Sequence, residues 1–185
     1  LMDKIINNFI AEFPELNNLI DEDALIAKFI DKTKNLELHS DDTAFTTNKM
    51  ESLKMTDYGV DCVRIEADEP LVAPLFEKLN YNTFWEDPFG WFIHKYNIEM
   101  QTKVHTDQKR NAVLIYPIVP KAYTIIYVDP ADKQTEIYRH TYRCPTIINA
   151  SIPHYIEDGN LEKIHFQISL FVNGTDWSTV VNENI

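Results

Sequence analysis

The chain has 185 residues, 44% apolar and 12% aromatic, which is enough to bury a core in one domain without disulfide or metal staples. Its net charge of −12 excludes an extended nucleic-acid surface, because phosphate binding needs a basic face, and the densest basic spot, "DQKR" at 107–110, is small. No apolar run approaches the length of a membrane span, and the acidic opening "LMDKIINNFIAEF" lacks the apolar stretch of a secretory signal. A cytoplasmic protein is therefore expected. Cys62 and Cys144 match no metal or redox spacing and read as buried thiols in a reducing compartment. On the same ground the glycosylation patterns at Asn149 and Asn173 are discounted.

In chain order, Ile5, Ile6, Phe9, Ile10 and Phe13 form a stripe that predicts a helix over 2–13. Leu25, Ile26, Phe29 and Ile30 repeat it over 21–33, where Asp21 suits the N-cap. Both stripes are expected to pack outside the main body and to carry no catalytic group. The stretch 35–58 is polar and reads as loops with short pieces. "DCVRIEA" (61–67) alternates as a strand, and "EPLVAPLFEKLN" (69–80) reads as a short helix disturbed by Pro74. From residue 83 the texture changes. "WFIHKYNI" (91–98), "RNAVLIYPI" (110–118), "AYTIIYVDP" (122–130), "TEIYRHTYR" (135–143), "PTIINASI" (145–152) and "KIHFQISLFV" (163–172) are short, β-branched and aromatic, with several separated by turn signals. Strands at this spacing predict a sandwich or barrel. The organisation expected is one domain over 1–185, with a helical or mixed part (1–80) and a β core (83–172).

The chemistry-bearing stretch is "KVHTDQKR". His105 and Asp107 are two positions apart, the repeat of a strand, so both point to one side and can share one metal ion. The other H-x-D, His39 and Asp41, sits in unpatterned polar sequence and reads as surface loop. His154 follows a strand about fifty residues on, in "SIPHYIEDGN", and completes two imidazoles and one carboxylate. That set leaves one face of a metal open and suits non-haem Fe(II) sites. His94 and His140 lie in predicted strands and read as packing or surface residues. The aromatic cluster "YNTFWEDPFGWF" (81–92) reads chiefly as core, with a substrate mouth as the other reading.

The order H-x-D, apolar strands, "PH", then a basic residue opening the last core strand resembles the Fe(II)/2-oxoglutarate-dependent dioxygenases, in particular small proteins near the prolyl and aspartyl/asparaginyl hydroxylases. The similarity covers roughly residues 83–172. It implies a mainly β fold, a double-stranded β-helix or jelly roll of cupin type, with the N-terminal helices outside. It implies His105, Asp107 and His154 as metal ligands and catalytic residues, with Fe(II) and 2-oxoglutarate as cofactors. Dioxygen and an unidentified small-molecule or peptide substrate would be the partners. Lys163 occupies, one position early and as lysine rather than arginine, the place of the basic residue that holds the far carboxylate of 2-oxoglutarate. Arg110 is the other cationic candidate. Tyr116 and His165 are further contacts for that cosubstrate, and Gln167 shares the face of Lys163 and His165. Two other readings stand beside a hydroxylase that converts 2-oxoglutarate to succinate. One is a non-catalytic cupin-like module that binds a metal or small molecule. The other is a structural jelly roll whose His and Asp are incidental.

Overall fold

The computed structural model of the protein describes residues 5–33, 52–55, 60–79, 88–95, 103–107, 111–157, 162–170 and 177–183. Arg110, His39, Asp41, Asn173 and most of the 81–92 aromatic cluster lie outside these residues. The strands are β1 (Ile10–Glu12), β2 (Ser52–Met55), β3 (Val60–Glu66), β4 (Phe89–Lys95), β5 (Ala112–Val119), β6 (Tyr123–Val128), β7 (Glu136–Tyr142), β8 (Thr146–Asn149), β9 (His154–Glu157) and β10 (Lys163–Leu170). The helices are α1 (Glu22–Thr33), α2 (Ala73–Phe76) and α3 (Trp177–Glu183).

Among the described residues the strands form two antiparallel sheets. The larger has the order β1-β8-β5-β10-β4-β3-β2 and the smaller β7-β6-β9. Consecutive strands repeatedly cross from one sheet to the other, which is the double-stranded β-helix expected from the sequence. The large sheet is wider than the stretch 83–172, because β1, β2 and β3 extend it on both sides.

The two-residue period sorts side chains between two cores. Leu114, Tyr116, Ile118, Ile164, Phe166 and Ile168 face outward and pack with Leu25 and Phe29 of α1. Val113, Ile115, Ile148, Tyr123, Ile125, Tyr127 and Tyr142 face inward and fill the space between the sheets. The outer core is where the helix stripe is used. Asp21 caps α1 by accepting the Ala24 N–H at 3.0 Å, and Phe29 reaches the Phe92 ring at 5.9 Å. Each fully buried side chain of this kind contributes about 1.5–3 kcal/mol.

Two helix expectations change. Over its described residues, 5–13, the first stripe is not helical. The Asn7 side chain accepts the N–H groups of Phe9 (2.8 Å) and Ile10 (3.0 Å), which bends the chain and sends Ile10–Glu12 into β1 against β8. Ile10 then faces the inner core and Ala11 the outer one, so both faces of the stripe are buried. The segment 69–80 keeps only a four-residue helix, which begins at Ala73. Proline lacks an N–H and fits only the first turn, so Pro74 sets the start. β9 and α3 were not anticipated. "HYIE" is too short to show a period, and the sequence reading placed His154 after a strand when it opens one.

Gly90 lies where β4 packs closely on β10. A Cβ there would lie 2.2 Å from the Phe166 ring and 2.9 Å from the Gln167 carbonyl oxygen. Phe166 is fully buried and has no room to retreat. Gly90→Ala should lower stability by about 1–3 kcal/mol in urea unfolding, and an unchanged midpoint would show that the two strands can separate.

Candidate functional site

The stretch 103–107 joins the open edge of the small sheet. His105 and His154 exchange both backbone hydrogen bonds, His105 N–H to His154 O at 3.0 Å and His154 N–H to His105 O at 2.9 Å. Asp107 N–H donates to Ala150 O at 3.0 Å, which fixes the chain one residue pair further. These bonds bring the imidazoles together, with ring centroids 4.7 Å apart. His105 Nε2 lies 3.8 Å from Asp107 Oδ1. The His105 side chain is 52% exposed and that of Asp107 14%, whereas His154 is 2% exposed, so the group runs from a rim to a floor.

The tautomers follow from the backbone. His105 Nδ1 donates to Lys103 O at 2.9 Å, and His154 Nδ1 donates to Ile152 O at 2.8 Å. A carbonyl can only accept, so in each neutral ring the proton sits on Nδ1 and the lone pair on Nε2. Asp107 belongs to the same neighbourhood as His154. Its charge reaches Tyr127, which stands 5.6 Å from the His154 ring, and adds to the burial that holds that phenol well above its usual range. Among the described residues no three His, Cys, Asp or Glu side chains form a ready metal cage.

A second group lies further along the interior. β10 points Lys163, His165 and Gln167 inward, all three buried. Lys163 Nζ donates to Glu157 O at 3.2 Å and sits 5.3 Å from the centre of the Tyr123 ring. Burial, and then the charge of Lys95 directly opposite on β4, pull the Lys163 ammonium down to about 8; Glu157 opposes them. His165 Nδ1 lies 3.4 Å from the Tyr123 hydroxyl. That hydroxyl has one proton, for which the carbonyls of Ile164 (3.1 Å) and Val119 (3.3 Å) compete, so His165 is placed to donate.

Tyr116 is not part of either group. It pairs with Phe166 across the outer face, and its hydroxyl accepts the Asn18 N–H at 3.0 Å. The inward position opposite His165 is Pro117. Strand parity therefore removes Tyr116 from the interior. His94 and His140 each meet a carboxylate, Glu162 and Glu12 respectively, away from the paired imidazoles. Asn149 is buried and donates through its amide to Asn8 O at 3.0 Å, which agrees with discounting it as a glycan acceptor. Sequence reasoning missed Tyr123 and Tyr127. Their signal was present in "YTIIYV", where Tyr123, Ile125 and Tyr127 fall on one face.

The tautomer assignment is directly measurable. Long-range ¹⁵N–¹H spectra of metal-free protein above pH 7.5 should show Nδ1-protonated rings for His154 and His105, and an Nε2-protonated His154 would contradict the geometry.

No family model matches the chain, and no curated protein does. Among solved structures it is similar to a Pseudomonas putida prolyl-4-hydroxylase, with a TM-score of 0.53 and 13% identity over 89% of this chain and 94% of that one. A mutant of Bacillus subtilis oxalate decarboxylase also matches, with a TM-score of 0.38 and 10% identity over 80% of this chain and 42% of that one. At such identities the likeness to the prolyl-4-hydroxylase shows the fold alone, and the chain is a jelly-roll protein.

Proposed function

We propose that the protein is an oxygenase that uses Fe(II) and 2-oxoglutarate to hydroxylate a substrate, with His105, Asp107 and His154 as the metal ligands. The observation that carries this reading is the matched pair of imidazoles, each tied through Nδ1 to the carbonyl two residues before it. Such a tie orients a ring and raises the basicity of the other nitrogen, which is the usual support of a metal ligand. Two neutral imidazoles and a carboxylate suit a divalent first-row ion and leave coordination positions open. The spacing of one pair fits: donors that each lie about 2.1 Å from one ion can be at most about 4.2 Å apart, and His105 Nε2 and Asp107 Oδ1 are 3.8 Å apart.

Iron, when bound, supplies redox chemistry that side chains lack. The chain's own residues bind and orient. Lys163 offers a buried ammonium for the far carboxylate of the oxo acid, with the Tyr123 ring beneath it and His165 beside it. The packed aliphatic side chains of Val113, Ile115, Ile125 and Ile156 make the interior beside these groups apolar. His105, on the rim, faces the side from which a substrate would approach. The likeness in fold to a prolyl-4-hydroxylase agrees with this reading.

The test is Mn(II) and Fe(II) binding followed by succinate release from 2-oxoglutarate, read by NMR. Asp107→Ala should weaken Mn(II) binding by tenfold or more, by the scale of losses around metal sites, while Asp41→Ala leaves it unchanged. Equal losses would mean that the wrong pair has been assigned. Metal binding without 2-oxoglutarate binding or succinate release would support the cupin-like binding module instead.

Lys163 adds a pH signature. It is charged below about 8 and neutral above it, so affinity for an anion is full at low pH and falls as pH rises. Between pH 7 and 9 the affinity of Mn(II)-loaded protein for 2-oxoglutarate should drop about tenfold, one decade per unit beyond the free pKa. Lys163→Arg should remove the drop. If Arg110→Met, rather than Lys163→Met, abolishes binding, the carboxylate contact belongs to Arg110.

A further inference from the structure

Buried phenols in this fold have partners. Tyr116 accepts from Asn18 N–H at 3.0 Å, Tyr123 donates to Ile164 O at 3.1 Å, and Tyr127 donates to Phe9 O at 2.7 Å. The half-buried Tyr138 accepts from the Asn7 amide at 2.8 Å. Tyr142 differs. It is fully buried, and its hydroxyl meets no hydrogen-bond partner among the described residues. A buried hydroxyl without a partner is costly, and one in a native fold points to a group that arrives from outside.

Its position says which group. Tyr142 closes β7 and stands directly opposite Tyr123 on β6, with the two rings 6.0 Å apart and edge to face. Tyr123 is the residue whose ring lies under the Lys163 ammonium and whose hydroxyl meets His165. Tyr142 therefore flanks the buried cation one strand away. It is also close enough to Tyr123 and Tyr127 to push both phenols up, and burial pushes its own far up, so it stays a neutral donor at any physiological pH. A neutral donor beside an ammonium suits an anionic acceptor.

We propose that the Tyr142 hydroxyl donates a hydrogen bond to a carboxylate of the anionic ligand that Lys163 holds, and so helps to select that ligand. This rests on the oxygenase reading for the identity of the probe, 2-oxoglutarate, and adds a residue which that reading does not use. It makes a two-sided demand on one substitution. Removing an oxygen that has no partner in the empty protein costs nothing, yet removing it from the complex loses a charge-assisted bond.

The experiment compares wild type, Tyr142→Phe and Tyr138→Phe in two measurements. One is the melting temperature of the metal-free, ligand-free proteins. The other is titration of 2-oxoglutarate into the Mn(II)-loaded proteins. Tyr142→Phe should melt at the wild-type temperature or above it and bind 2-oxoglutarate about tenfold more weakly or worse, the range for a bond to a charged group. Tyr138→Phe, which breaks the bond from Asn7, should melt lower and keep wild-type affinity. Unchanged affinity in Tyr142→Phe overturns the proposal and leaves the oxygenase reading standing. A melting temperature lowered as in Tyr138→Phe also overturns it, because the hydroxyl would then have a structural partner such as an ordered water. If the wild type itself does not bind 2-oxoglutarate, the oxygenase reading and this proposal both fail.

Discussion

The reciprocal backbone pair between His105 and His154 is the contact on which the site depends. Each residue gives and accepts one peptide hydrogen bond, so neither can slide along its strand without breaking both. A slip of one position would turn both imidazoles to the opposite face. The side-chain geometry is anchored in the same way, since each ring is fixed by a carbonyl of its own segment. Two segments about fifty residues apart thus bring two imidazoles together through a pair of main-chain bonds and one ring-to-carbonyl bond each.

The parts of this arrangement that were legible in the sequence are those governed by the period of two. Lys163, His165 and Gln167 share a face because they are spaced by two in a strand flanked by Ile164, Phe166 and Ile168. Of the seven strands that stand out, β3 does so by alternation and the other six by β-branched and aromatic composition, several of them set off by turn signals. What escaped the sequence depended on tertiary partners. The stripe at 5–13 has a helical period, and the Asn7 turn together with the edge of β8 overrides it. Tyr116 looked like a site residue because parity tells which residues share a face, not which face is inside. Only the packing of α1 over the large sheet marks its face as the outer one.

Charge is distributed against the overall balance. The chain carries −12, yet the inner face of β4 and β10 sets Lys95 directly opposite Lys163. Like charges facing each other across a ladder are unfavourable, and burial makes them more so, as the lowered pKa of Lys163 reflects. An anion bound there, as proposed above, would offset that cost. The acidic exterior would not draw such an anion in at long range, so under the proposed reading its selection would fall to the short-range groups of the interior, the Lys163 ammonium and the tyrosines around it. This is the reverse of a basic protein that attracts anions over its whole surface and sorts them later.

The pairing of β1 with β8 has a consequence for how the molecule comes into being. Ile10 meets Ile148, and the Tyr127 hydroxyl is held by the carbonyl of Phe9, so a segment near the start of the chain is completed by residues made far later. During synthesis β1 leaves the ribosome long before any partner strand exists, and it waits as an unpaired apolar ribbon. Contacts of such sequence separation form late and slowly. Both cores, which share β1 through Ile10 and Ala11, are therefore completed after the local hairpins. A nascent chain would pass through a stage in which the later strands are paired and the edge beside β8 is still open.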